Sequence, residues 1–155
     1  MEVAAKRFFS SPHFAVVGAS QDASKFGYRT WYHTHSMAVT PINPGRPSIS
    51  VPSKTYETVP TVSALPDPKH TALSFLTPPS VTRKVLQEAK SVGIPAVWLQ
   101  PGSFEDRDLE YAKQNFESAV GGFDEGTVGG EGWCVLVDGE DSLRAAGKKI
   151  VRQKL

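Results

Sequence analysis

Phe14-Ala15-Val16-Val17-Gly18-Ala19-Ser20, followed by the polar run Gln21 to Lys25 and by Gly27, decides the fold. An apolar run that ends at a glycine, then small and polar residues, then a helical pattern, reads as a buried parallel strand, a tight turn and a helix N-terminus. Such a turn aims free N–H groups and the positive end of a helix dipole at one point, a setting for a phosphate. Gly18 is expected to let the backbone approach an anion, and a valine there to block that approach in a domain that still folds. Ser20 is placed to cap the helix or donate to a phosphate oxygen. The Gly-x-Gly-x-x-Gly dinucleotide fingerprint is absent, so an ordinary strand-to-helix turn without ligand is the competing reading.

Outward from this stretch, the pattern repeats. A helix is expected over 3–9. A second follows over 26–37, and the next strand over 38–42 ends at Asn43-Pro44-Gly45-Arg46. The proline-rich stretch 48–68 offers a short extended piece at 56–59 and a helical turn at 61–65. A third strand over 72–76 leads into Thr77-Pro78-Pro79 and a helix to Val92, with Val81, Val85, Leu86, Ala89 and Val92 on one face. A fourth strand, 96–99, exits through Gln100-Pro101-Gly102. A helix over 106–118 and a short fifth strand at 119–120 follow. Gly121 to Gly132 reads as a mobile surface loop or a lid over the ligand. Trp133 to Val137 reads as a strand, and Asp138 to Asp141 as the cap of a last helix.

Strands alternating with amphipathic helices predict a single Rossmann-like α/β domain over 1–155. The expected architecture is a doubly wound, three-layer fold with a mainly parallel sheet of about five strands. Ligands of such sheets sit outside the carboxyl ends of the strands, so the exit turns are the candidate site. None of them carries a carboxylate, cysteine or histidine, which suits binding better than catalysis. An NAD site wants Asp or Glu at the end of the second strand. This chain has Asn43, with Arg46 and Lys54 nearby, which suits the ribose phosphate of NADP or coenzyme A.

The 155 residues give room for a real core in one domain, and a net charge of +1 implies no nucleic-acid partner. No apolar run reaches the roughly 18 residues of a membrane span, and the first eleven residues lack the apolar core of a secretory signal. One cysteine, Cys134, excludes an internal disulfide and fits a reducing compartment. Its place in an apolar run reads as a buried structural thiol. His33 and His35 point to different helix faces, and His13 and His70 have no ligand spacing around them, so no metal site is expected. Tyr28, Trp31 and Tyr32 read as packing residues, one of them available to stack on adenine.

Val16-Val17-Gly18-Ala19-Ser20, Pro41-Ile42-Asn43-Pro44, Thr77-Pro78-Pro79 and Ala96-Val97-Trp98-Leu99-Gln100-Pro101-Gly102 together resemble the small coenzyme A-binding domain family. These are stand-alone relatives of the nucleotide-binding domain in the alpha subunit of succinyl-CoA synthetase. The resemblance spans about 14–120 and implies a Rossmann-like sheet that binds coenzyme A. It implies that Gly18, Ala19 and Ser20 cradle the pyrophosphate, with Lys25 and Arg29 just downstream. Asn43 and Pro44 would border the adenosine, Arg46 would lie near the ribose phosphate, Thr77 and Pro78 would line the next edge, and Gln100 and Pro101 would close the crevice. The synthetase's second domain, with its phosphorylated histidine, has no counterpart here, so that reaction does not carry over. The segment 121–155 diverges from the short bacterial relatives and is similar to a longer, fungal-type form. The expected function is a non-catalytic module for coenzyme A or an acyl-CoA. The alternatives are an NADP- or NAD-binding oxidoreductase or nucleotide sensor, and an interaction domain that has lost its ligand. A cytoplasmic or mitochondrial location and a homodimer or an unknown protein partner complete the expectation.

Overall fold

In a computed structural model, the described residues are 1–18, 31, 35, 37, 39–45, 48–51 and 54–150. The turn residues Ala19, Ser20, Lys25, Arg29 and Arg46, and most of the helix expected over 26–37, lie outside them.

Five strands form one parallel sheet: β1 His13–Val17, β2 Val39–Ile42, β5 Thr71–Phe75, β6 Ala96–Leu99 and β7 Ser118–Val120. Their order is β2-β1-β5-β6-β7. The chain therefore winds one way from β1 to β2 and the other way from β5 onward, and the order reverses between β1 and β5. Short apolar runs bounded by Gly and Pro make these strands: every residue of β5, β6 and β7 is buried, as parallel strands covered on both faces require. The ladder is continuous past the strand ends, with Leu76 N donating to Val17 O at 2.9 Å and Gln100 N to Phe75 O at 3.3 Å.

Four described helices flank the sheet: α1 Glu2–Phe9, α2 Pro79–Ser91, α3 Asp106–Asn115 and α4 Val135–Ala145. One face carries Phe8 and Phe9 of α1, Phe14 and Trp98 of the strands, Trp31, and Trp133 just before α4. Phe8 and Phe9 meet Trp98 edge-on, with centroids 5.4 and 5.7 Å away. Each such buried ring stabilises the fold by roughly 1.5–3 kcal/mol over its exposed state, plus a smaller gain from ring geometry. The opposite face packs Leu73, Phe75, Val97 and Leu99 on Leu86 of α2 and Ala112 of α3. Arg83 ties these two helices together. Its Nε donates to Asp108 at 2.7 Å, while Asp108 also accepts from Glu105 N at 2.8 Å to complete a capping box. That hydrogen bond raises the Arg83 guanidinium above its ordinary value.

Three expectations change. Of the extended piece at 56–59, Tyr56 and Glu57 end β4 Lys54–Glu57, which pairs with β3 Ser48–Val51 as an antiparallel hairpin, and Val59 bridges Ile42 of β2. The run 133–137 is not a strand: α4 starts at Val135. Asp138 to Asp141 lie inside that helix instead of before it. Asp138 is buried and accepts from Thr127 Oγ1, Val128 N and Cys134 N at 2.9–3.0 Å, so it pins the preceding loop to the helix's first turn. Trp133 completes the anchor, its backbone N donating to Gly122 O and its indole to Asp124 O. The glycine-rich loop is thereby held against α4 and against Glu2 of α1. Among the described residues, no helix is long and apolar enough to cross a membrane, and no group of three His, Cys, Asp or Glu is placed to hold a metal.

Candidate functional site

The order reversal opens a crevice between β1 and β5. Gly18 leaves β1 with φ +84°, a conformation that favours glycine. A Cβ there would lie 2.8 Å from Thr77 Cγ2 and 3.1 Å from Thr77 N. The glycine is thus required by the strand end beside it, and the expectation of a folded valine variant does not fit this packing. Thr77 is buried in turn. Thr82 Oγ1 donates to Thr77 O at 3.2 Å, which leaves Thr77 Oγ1 to donate to Thr82 Oγ1 at 2.7 Å. Pro78 and Pro79 then start α2, where missing N–H groups cost nothing.

A cavity of about 440 Å³ occupies this place. Gly18, Asn43, Pro44, Thr77 and Pro78, five of the residues expected from the sequence, line it together. Asn43 Oδ1 accepts from Gly45 N at 2.8 Å and its backbone N donates to Val59 O, which sets the exit of β2. The remaining wall was not expected: Pro60, Thr61 and Val62 on one side, Val81 and Val85 of α2 on the other. Val81 is 42% exposed, although its spacing places it in the buried stripe; the residues of α2 that are buried are Thr82, Leu86 and Ala89. Val85 packs on the core and borders the crevice as well, and an exposed apolar residue such as Val81 beside it is the signal that marks such a wall. Among the described residues one carboxylate lines the cavity, Glu88, and it accepts from Ser63 N and Ser63 Oγ, both at 2.9 Å. Among the described residues the slot is mainly apolar, with Glu88 its one carboxylate, and its size suits an organic group.

Gln100 and Pro101 lie at the next strand end and do not line this cavity. The Gln100 side chain is fully buried: its Nε2 donates to Ser74 Oγ at 2.9 Å, and its Oε1 accepts from Val135 N at 3.0 Å. It joins the ends of β5 and β6 to the start of α4. Pro101 sits in the turn closed by Ser103, whose N and Oγ both donate to Gln100 O.

A doubly wound parallel sheet with an open slot at its switch point defines a Rossmann-like α/β protein. The particular group follows from the sequence: a model of the CoA binding domain matches residues 12–123, and the chain belongs to that family. The fold is shared with solved structures. A conserved hypothetical protein from Pyrococcus furiosus is 26% identical with a TM-score of 0.60, over 69% of this chain and 90% of its own. Prb, a redesign for binding of the PH1109 protein, is 18% identical with a TM-score of 0.67, over 97% of this chain and 95% of its own. A hypothetical protein from Pyrococcus horikoshii is 20% identical with a TM-score of 0.64, over 77% and 83%. No curated protein matches the chain.

Proposed function

We propose that the chain is a non-catalytic module that binds coenzyme A, or an acyl-CoA, across the ends of β1, β2 and β5. The observation that carries this reading is the slot of about 440 Å³ at the switch point, inside the span matched by the family. In this reading the adenosine lies beside Asn43 and Pro44, between Val62 and Val81, with Thr77 and Pro78 below it. The pyrophosphate follows along Gly18, Ala19 and Ser20, near Lys25 and Arg29, and Arg46 pairs with the ribose phosphate. Gln100 and Pro101 border the far side through their backbone, because the Gln100 amide is engaged elsewhere. A non-catalytic role is supported by the lining. Among the described residues it has no histidine or cysteine, and its one carboxylate is held on Ser63. Acyl transfer needs a nucleophile or a tuned acid–base group within reach. The kinship to the succinyl-CoA synthetase alpha subunit is part of the same proposal.

Calorimetric titration of the full chain with coenzyme A, acetyl-CoA, NADP and NAD tests it. Coenzyme A or acetyl-CoA is expected to bind and the nicotinamide nucleotides to bind more weakly; the opposite order refutes the proposal. Dephospho-coenzyme A should lose about 1.5–3 kcal/mol, roughly ten- to a hundredfold in affinity, and Arg46→Ala should erase that difference. Acetyl-CoA incubated with the protein should release thiol no faster than in buffer.

A further inference from the structure

A second cavity, of about 530 Å³, opens at the amino ends of the same strands. Strand alternation puts His13 and Thr71 on the face of Ala15 and Leu73, and Thr40 pairs with Ala15. His13 therefore stands beside Thr71 and diagonal to Thr40, three polar side chains in a row across β2, β1 and β5. Leu65, Pro66 and Asp67 close one side of the cavity and Tyr56 of the hairpin another, with Met37 and Val39 adding apolar wall.

The polar groups are not equally engaged. Thr71 Oγ1 donates to Asp67 O at 2.7 Å. The Asp67 carboxylate is turned onto His70, with both oxygens at 2.9–3.0 Å from Nδ1. Among the described residues, the His13 ring and the Thr40 hydroxyl have no hydrogen-bond partner. Each of these two groups both donates and accepts. An anion placed on them would face Asp67, and an ammonium would find that carboxylate occupied by His70. An amide or hydroxyl head matches both groups without a net charge, and an apolar body matches the walls.

We propose that this cavity binds a small uncharged molecule with an apolar body and one amide or hydroxyl head, held by His13 and Thr40. It is a site separate from the nucleotide crevice, since the two open at opposite ends of the strands. The probe is benzamide, titrated into the isotope-labelled full chain and followed by amide shifts, with benzoate and benzylamine as charged counterparts. Saturable shifts at Thr40, Asp67 and Thr71 are expected, with Gly18, Asn43 and Thr77 unmoved. Thr40→Val should weaken binding about two- to tenfold, the worth of one hydrogen bond, while Thr40→Ser retains it. Absence of saturable shifts, shifts confined to the crevice, equal affinity in Thr40→Val, or tighter binding of either charged probe overturns the proposal. Coenzyme A affinity measured on the same sample reports on the crevice independently, so failure at one site is distinguishable from failure at the other.

Discussion

Gly18 and Thr77 are fitted to each other across the ends of β1 and β5, with room for a hydrogen and not for a methyl group: a Cβ on Gly18 would lie 2.8 Å from Thr77 Cγ2. Gly18→Ala and Gly18→Val should therefore destabilise the protein before they reveal anything about ligand. Strain at positive φ costs about 1–3 kcal/mol, and the displaced Thr77 adds to it. The urea midpoint should fall in both variants, further for valine. A valine variant as stable as the wild type, with binding lost, would instead return Gly18 to a pure phosphate-turn role.

Gln100 spans β5 and α4, and its loss should be felt at both ends. Gln100→Ala removes two hydrogen bonds and leaves Val135 N and Ser74 without partners in a buried place. The expected cost is about 2–4 kcal/mol, since each orphaned buried group is worth roughly 1–3 kcal/mol. Hydrogen exchange at Val135 should accelerate more than exchange in α3. A loss below half a kcal/mol would mean that α4 docks without this contact.

Gly139 sits in the middle of α4, where alanine is ordinarily the better helix former by about 1 kcal/mol. Here the sign should reverse. A Cβ on Gly139 would press on the Trp31 indole, reaching Cη2 at 2.8 Å and Cζ2 closer still. Trp31 is buried and stacked on His35 at 4.2 Å, so it has little room to retreat. Overpacking of this kind costs about 1–3 kcal/mol, and Gly139→Ala should lower the melting temperature. A rise would show that helix propensity wins.

Lys148 donates to Ser11 O at 3.1 Å and lies over the Phe14 ring at 5.0 Å, yet burial lowers its pKa below the ordinary 10.5. Between that lowered value and 10.5 the unfolded chain holds the proton and the folded chain does not. Stability should therefore rise with pH across this window, and the rise should shrink in Lys148→Met. Denaturation midpoints from neutral pH up to 10.5, compared between the two proteins, check this. An unchanged rise in the variant would assign it to another group.

The sheet was legible because its strands are local facts: Val16-Val17-Gly18 and Ala96 to Leu99 are apolar runs with a breaker at one end, and nothing distant alters them. α4 was not. Trp133 to Val137 has the composition of a strand, and what makes its latter part helical is Asp138 folding back onto Cys134 N and Gln100 reaching Val135 N from 35 residues away. The hairpin was hidden by Pro52, which sits between two segments that pair only with each other. Half of the slot was readable from the exit turns. Val81 and Val85 were not, because helical spacing cannot distinguish an apolar residue facing the core from one facing a crevice.

The contacts of α1 carry a consequence for how this protein is made. Ser118 Oγ donates to Ala4 O, Arg7 Nη1 donates to Glu117 O at 3.2 Å, and Phe8 and Phe9 share a cluster with Trp133 and Leu143. α1 thus waits for partners that are more than a hundred residues behind it. Until then its two phenylalanines have Phe14 and, later, Trp98 to pack on, and the rest of that face of the nascent sheet is open to chaperones and to other unfinished chains. Arrest during synthesis before Leu143 should yield a species that proteases digest readily, and protection should arrive late and in a single step.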